Sequence, residues 1–129
     1  MEKRRSIDVA GARHVNPIPS ASRIGPFVVS GAISGADPAT GTVPEDLDAQ
    51  CAAMFANVRR VIETAGGTAG DIIKMNVWIT DRALRPIMNK YWVEMFPDPA
   101  SRPARHTIAS GDFAPPMQIQ CDLLAVIGD

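Results

Sequence analysis

Apolar residues recur every three or four positions over residues 44–67, which is the most regular pattern in the chain. This spacing predicts an amphipathic helix. Acidic residues crowd its first turn, arginines come late, and Gly66-Gly67 follows, an order that suits the helix dipole and a glycine stop. A second, shorter helix is predicted over residues 81–99, with Pro86 in the first turn, where proline is tolerated.

A period of two predicts strands at residues 71–80, 102–110 and 117–127. A short apolar run at residues 24–34 predicts a further strand that leads into a turn, and residues 5–9 are a candidate strand. In the segment 71–80, one face is expected to pack against the helices. This face consists of Ile73, Met75, Val77 and Ile79.

The order of strands, helix, strand, helix and strands predicts one α+β domain over residues 1–129, with two helices on one face of a mixed sheet. A length of 129 residues suits a single domain. No predicted element covers the other face, although Trp78 and Leu124 lie on it. An apolar sheet face without a cover predicts an oligomer.

Charge and composition argue against several classes of partner. The formal net charge is −1, whereas proteins that bind nucleic acids or membrane surfaces usually carry a basic excess. Residues 3–5 are basic, but no apolar segment follows them as in a signal peptide. No apolar run approaches the roughly 18 residues of a membrane helix. We therefore expect a soluble cytoplasmic protein.

The cysteines and histidines do not form a metal-binding pattern. Cys51 and Cys121 are far apart in the sequence and fit buried free thiols, and His14 and His106 lie in different segments. We therefore expect neither a metal ion nor a cofactor.

The segment SRPARHTIASG, residues 101–111, places Arg105 on a predicted half-buried strand. An arginine there costs free energy unless an anion meets it. The anion is either a carboxylate of the protein or a ligand, and the residues alone leave both open. The predicted last strand carries three polar side chains on one face: Gln118, Gln120 and Asp122. These side chains need hydrogen-bond partners or a water-filled cleft.

Several short segments occur in a specific order over roughly residues 14–127. They are Ser30-Gly31, DPATGTVPEDLDAQ, FANVRRVIETAGG, DIIKMNVWITD, Asn89, RPAR with Arg105, and the polar-alternating last strand. Together they resemble the Rid family, also called RidA or YjgF.

The resemblance implies a homotrimer of chorismate-mutase-like α+β subunits, with the sheets facing inward and the ligand clefts between subunits. It implies metal-free, cofactor-free hydrolysis of reactive 2-enamine or 2-imine carboxylates to 2-keto acids and ammonia. Arg105 would hold the substrate carboxylate, and Gln120 would stand beside the attacking water. The implied or candidate substrate-binding residues are Ser30, Gly31, Asn89, Thr107 and His14.

The chain departs from the deaminase members of that family at three places. Gln120 replaces a glutamate that orders water, and a neutral amide cannot accept a proton, so Asp122 is an alternative. Thr107 replaces a common cysteine. An N-terminal tyrosine has no match, and the loop that contains His14 occupies its region.

These departures keep other functions open. One alternative is a non-catalytic trimeric module that binds a keto acid or another small carboxylate, or a holdase. Another is a pathway-specific deaminase for an aminomuconate-like substrate. A ribonuclease role, also attached to the family, ranks lowest because the net charge is close to neutral and no His/Glu or two-metal constellation is visible.

Overall fold

A computed structural model describes residues 3–11 and 16–128 of the chain. Within this part, two short 3₁₀ turns, Ala69–Asp71 and Arg82–Leu84, accompany the main elements. The helices and strands are β1 (Arg5–Ile7), β2 (Ala21–Ile24), β3 (Phe27–Ser30), β4 (Ile33–Ser34), α1 (Leu47–Thr64), β5 (Ile72–Ile79), α2 (Arg85–Met95), β6 (Ala104–Ala109) and β7 (Ile119–Val126).

The strands form one mixed sheet in the order β1-β2-β3-β7-β5-β6, and β4 pairs with β7 beyond the end of β3. Strands β5 and β6 are parallel, and α2 is the crossover between them. The other pairs are antiparallel. The predicted mixed sheet and α+β class are confirmed.

Both helices pack on one face of the sheet, as the periodicity predicts. The core lies between this face and the helices, because alternate residues of β5 and β7 point toward them. Its most deeply buried side chains include Met54, Val58, Ile62, Met75, Val77, Ile79, Met88, Ile119 and Leu123.

The prediction that Ile73 faces the helices is wrong. The pairing of β5 with β7 shifts register between Ile72 and Lys74. This irregularity breaks the period of two, as a β-bulge does. Ile72 therefore turns into the core at 4% exposure, while Ile73 is 50% exposed.

The predicted element boundaries need three corrections. The apolar run 24–34 is not one strand, because it contains the end of β2 followed by the separate strands β3 and β4. A turn at Gly25 lies between β2 and β3, and the φ of +54° at this residue favours glycine. Helix α1 begins at Leu47, because the side chain of Asp46 accepts a hydrogen bond from the Ala49 N–H and caps the helix. Helix α2 is shorter than predicted and contains Pro86 in its first turn.

Gln50 is a fully buried polar side chain that joins three segments. Its Nε2 donates to the carbonyls of Pro44, at 2.7 Å, and Pro116, at 2.6 Å. Its Oε1 accepts from the Gln118 N–H at 2.9 Å. Gly35 allows this packing, because a Cβ there would lie 2.5 Å from the Gln50 carbonyl oxygen. These contacts fix the start of β7 relative to α1.

The sheet face opposite the helices is not covered by the described residues of this chain. Trp78 and Leu124 lie on it, as predicted. Val29 pairs with Leu124 and extends the apolar surface toward β2. Three side chains on this side are about half exposed: Ile24 at 49%, Phe27 at 56% and Val29 at 52%. We call this surface the open face.

Candidate functional site

Arg105 lies on β6, at one edge of the sheet, and points to the helix side. It pairs in parallel register with Met75, whose side chain is in the core. The Arg105 Cζ lies 4.8 Å from the centroid of the Trp92 ring on α2, which is cation–π geometry. The Trp92 ring is in turn held by an edge-on contact with Phe96, with centroids 4.8 Å apart. The guanidinium is therefore fixed by a packed aromatic platform.

The Arg105 guanidinium lacks an anionic partner in the described part of the chain. Its Nη1 is buried and has no hydrogen-bond partner there. Burial lowers the pKa of Arg105 below its usual range, and the positive charge of Arg85 lowers it further. A buried donor without an acceptor is costly. The sequence left two kinds of partner open for Arg105, a carboxylate of the protein or a ligand. Within residues 3–11 and 16–128, no carboxylate pairs with its guanidinium.

Thr107 and Asn89 lie on the same side of the domain as Arg105. Thr107 is two residues beyond Arg105 on β6 and pairs with the buried Val77, so it faces the helices as well. Asn89 is exposed and precedes Trp92 by three positions, which places the two on one side of α2. Arg105, Thr107 and Trp92 thus form one group at the β6 edge, which we call the arginine edge, and Asn89 lies on the neighbouring turn of α2.

Ser30 and Gly31 lie at the end of β3. The Ser30 hydroxyl donates to the Gly31 carbonyl at 2.8 Å and accepts from the Leu123 N–H at 2.9 Å. The bond from Leu123 ties the end of β3 to β7, so this hydroxyl has a structural role. A Cβ on Gly31 would meet only the carbonyl oxygens of Pro19 and Ser20, at 3.7 and 3.8 Å. The space in front of Gly31 is therefore open to a ligand.

Gln120 and Asp122 lie on β7 and point to the open face. Gln120 pairs with Ser34 on one side and with Trp78 on the other. Its side-chain amide makes no hydrogen bond to the residues that the structure describes. Asp122 instead accepts a hydrogen bond from Asn76 Nδ2 at 3.0 Å. Of the two candidates for handling water, Gln120 has the free polar group and Asp122 is already bonded.

The site residues fall into two separate groups in one chain. Strand β3 is separated from β6 by β7 and β5, which amounts to about 14 Å at the usual strand spacing. Arg105 also faces the helices, whereas Gln120 faces the open side. One chain therefore does not bring Arg105 together with Gly31 or Gln120. His14, the remaining predicted site residue, lies outside the described residues.

Trp92 is the site residue that sequence reasoning missed. Its helical spacing assigned it to the core, and it is indeed only 8% exposed. Its second role, as a platform under Arg105, depends on how α2 packs over β6. No local pattern in the sequence carries that information.

Among the described residues, no group of three or more His, Cys, Asp and Glu side chains could hold a metal ion. Both cysteines are buried and free, as predicted. In the part of the chain that the structure describes, neither of the two helices is long and apolar enough to cross a membrane.

The chain is a small α+β domain in which a buried guanidinium nitrogen of Arg105 has no hydrogen-bond partner among the described residues. A family model described as endoribonuclease L-PSP matches residues 15–127. The chain belongs to this family, which is the YjgF/RidA family. The resemblance inferred from the sequence segments is confirmed.

Relatives of this chain carry related names. A 2-iminobutanoate/2-iminopropanoate deaminase of Salmonella typhimurium is 28% identical over 113 residues, which are 87% of this chain and 88% of that protein. The crystal structure of RidA from an Antarctic Psychrobacter is 26% identical, with a TM-score of 0.87 over 95% of this chain and 99% of that one. Escherichia coli TdcF with bound serine is 25% identical, with a TM-score of 0.87 over 96% and 99%.

Proposed function

We propose that this protein hydrolyses reactive 2-enamine or 2-imine carboxylates to 2-keto acids and ammonia, without a metal ion or a cofactor. The observation that carries the proposal is the Arg105 guanidinium, which is stacked on Trp92 and has a buried, unpaired Nη1. A planar guanidinium binds a carboxylate through two parallel charge-assisted hydrogen bonds. The name of the Salmonella relative supports the same substrate class.

The proposed reaction site lies between two copies of the chain. Arg105 and Thr107 of one copy would meet Gly31 and Gln120 of another, because one chain holds these two groups apart. The apolar open face supports a homotrimer with the sheets turned inward, since half-exposed apolar side chains need a cover. Asn89 and Ser30 are further residues that we propose for this cleft, and His14 is a candidate from the sequence that lies outside the described residues.

The chemistry needs positioning more than acid or base strength. Binding of the carboxylate by Arg105 fixes the adjacent electrophilic carbon for attack by water. A protonated imine needs little further activation, so an amide that orients water through a hydrogen bond is sufficient. Gln120 has this capacity, while Asp122 is engaged by Asn76. We also propose a cytoplasmic location, as the sequence led us to expect.

A second candidate function is binding without turnover. Gln120 supports it, because a neutral amide cannot take the proton that a glutamate would accept. The chain would then be a trimeric module for a keto acid or another small carboxylate, or a holdase. An aminomuconate-like substrate remains the alternative within the deaminase class, given the different N-terminal loop.

A coupled assay tests the proposal. An amino-acid oxidase generates 2-iminobutyrate, and keto-acid formation is followed with and without the protein. We expect turnover that Arg105→Ala abolishes and that Arg59→Ala, a change of an exposed arginine on α1, leaves intact. Binding of 2-oxobutyrate without any acceleration would contradict the enzyme and favour the binding module.

A further inference from the structure

A cavity of about 430 Å³ lies beside α1, away from the arginine edge. Its volume is within the range of small-molecule sites. Most of its wall is apolar, and one cationic side chain, Arg60, borders it among the described residues. The wall includes Ile18, Ala32, Ile33, Pro38, Val61 and Gly31.

The Arg60 guanidinium is held in place at the cavity. Its Nη1 donates to Asn57 Oδ1, one turn earlier on α1. The Asn57 amide is fixed in turn, because its Nδ2 donates to the carbonyls of Ser34 and Ala36, both at 2.8 Å. This chain of bonds orients Arg60 before any ligand arrives, which reduces the entropy lost on binding.

The charge of Arg60 is not neutralised within the described residues. Asp37 also borders the cavity, but its Oδ1 accepts the N–H groups of Ala39, at 2.8 Å, and Thr40, at 3.4 Å. No ion pair between Arg60 and a carboxylate occurs in residues 3–11 and 16–128. The remaining donors of the guanidinium are therefore available to an anion.

We propose that this cavity binds a small carboxylate with an apolar body, and that Arg60 pairs with the carboxylate. The apolar wall would take a short alkyl chain or a ring, and the oriented guanidinium would take the acid group. The ligand is either a free carboxylate or the far end of a substrate whose reacting end lies at Gly31. The second source rests on the proposed function, whereas the first does not.

The test is a titration of the ¹⁵N-labelled full chain with hexanoate, followed by NMR. We expect amide shifts at Gly31, Ala32 and Val61, and no such shifts with hexanamide, which lacks the charge. Arg60→Gln should weaken binding about tenfold, because a charge-assisted pair is lost. Arg59→Gln removes the neighbouring arginine, which does not border the cavity, and should bind like the wild type.

Three further results decide the proposal and the source of the ligand. Arg105→Ala should still bind hexanoate in the cavity, so a failure of the proposed reaction would not affect this test. Equal affinity of Arg60→Gln and the wild type, or shifts confined to Arg105 and Trp92, would overturn the proposal. If hexanoate raises the KM for 2-iminoglutarate, whose second carboxylate would be the far end, in the wild type but not in Arg60→Gln, the cavity holds the substrate's far end; otherwise the ligand is a free carboxylate.

Discussion

Replacement of Gln50 by leucine tests how the start of β7 is held. The change keeps the apolar bulk but removes a side chain that is fully buried and makes three hydrogen bonds, at 2.6, 2.7 and 2.9 Å. The carbonyls of Pro44 and Pro116 and the Gln118 N–H lose their partners. Since β7 carries Gln120 two residues beyond Gln118, the same contacts also position a proposed site residue.

The expected loss of stability is large. Each buried group left without a partner costs about 1–3 kcal/mol. Because the surrounding loops relax and admit water, the three costs do not add in full, and we expect a loss of about 4 kcal/mol in the free energy of unfolding. Native proteins are stable by only about 5–15 kcal/mol, so the variant should lose a large share of its stability.

Urea denaturation, followed by tryptophan fluorescence at a fixed protein concentration, measures this loss. Gln118→Leu is the matched control: it makes the same change of side chain, but only the backbone N–H of Gln118 takes part in the contacts with Gln50. We expect the control to lose less than about 1 kcal/mol. A loss for Gln50→Leu that is no larger than that of the control would refute the reasoning.

Three further predictions concern stability and reactivity. Gly35→Ala should destabilise the fold by about 2 kcal/mol, since the new Cβ would lie 2.5 Å from the backbone carbonyl oxygen of Gln50. Gly111→Ala is its control in the same denaturation assay, because a Cβ added at Gly111 would meet no atom within 4 Å. Hydrogen bonds from Lys90 and then Tyr91 lower the pKa of Asp48 below its ordinary value of 3.8. The Asp48 carboxylate therefore stabilises the fold at pH values above 3.8, and this stabilisation is lost as the pH falls below that value. Asp48→Asn should flatten the acid limb of a stability–pH curve, and an unchanged limb would contradict this. Burial raises the pKa of Cys51 to about 11, and it raises the pKa of Cys121 as well. Both thiols should therefore resist DTNB at pH 8 until the protein unfolds. Rapid reaction of the native protein with DTNB would contradict their burial.

The sequence predicted those features that depend on local periodicity. The two helices, the long strands and the side of the sheet that faces the helices follow from periods of 3.6 and 2. The prediction failed at Ile73, because a register shift depends on the partner strand and leaves no local signal. The helix start was predicted too early, because the cap is a side-chain hydrogen bond of Asp46 that the spacing of apolar residues does not show.

Less of the candidate site than of the fold could be predicted from the sequence. The strand context of Arg105 showed that an anion was needed, and the structure shows no carboxylate paired with it within residues 3–11 and 16–128. The stacking on Trp92 and the cavity at Arg60 could not be foreseen, since both depend on how a helix packs over the sheet. The separation of Arg105 from Gly31 and Gln120 also required the strand order.

The central claim is that each reaction site combines the arginine edge of one copy with Gly31 of another. Two variants test it in combination: Arg105→Ala removes the carboxylate anchor, and Gly31→Phe fills the opposite half, where a Cβ meets no contact closer than 3.7 Å and the fold should tolerate the ring. Each variant alone should be inactive toward 2-iminobutyrate. In mixed trimers, the Arg105 of one variant would face the Gly31 of the other.

Coexpression of the two variants is therefore the most direct measurement. With random assembly into trimers, about a quarter of the sites would be intact. Recovery of about a quarter of the wild-type rate is the predicted result. No recovery, although mixed oligomers are shown to form, would contradict a site shared between copies of this chain.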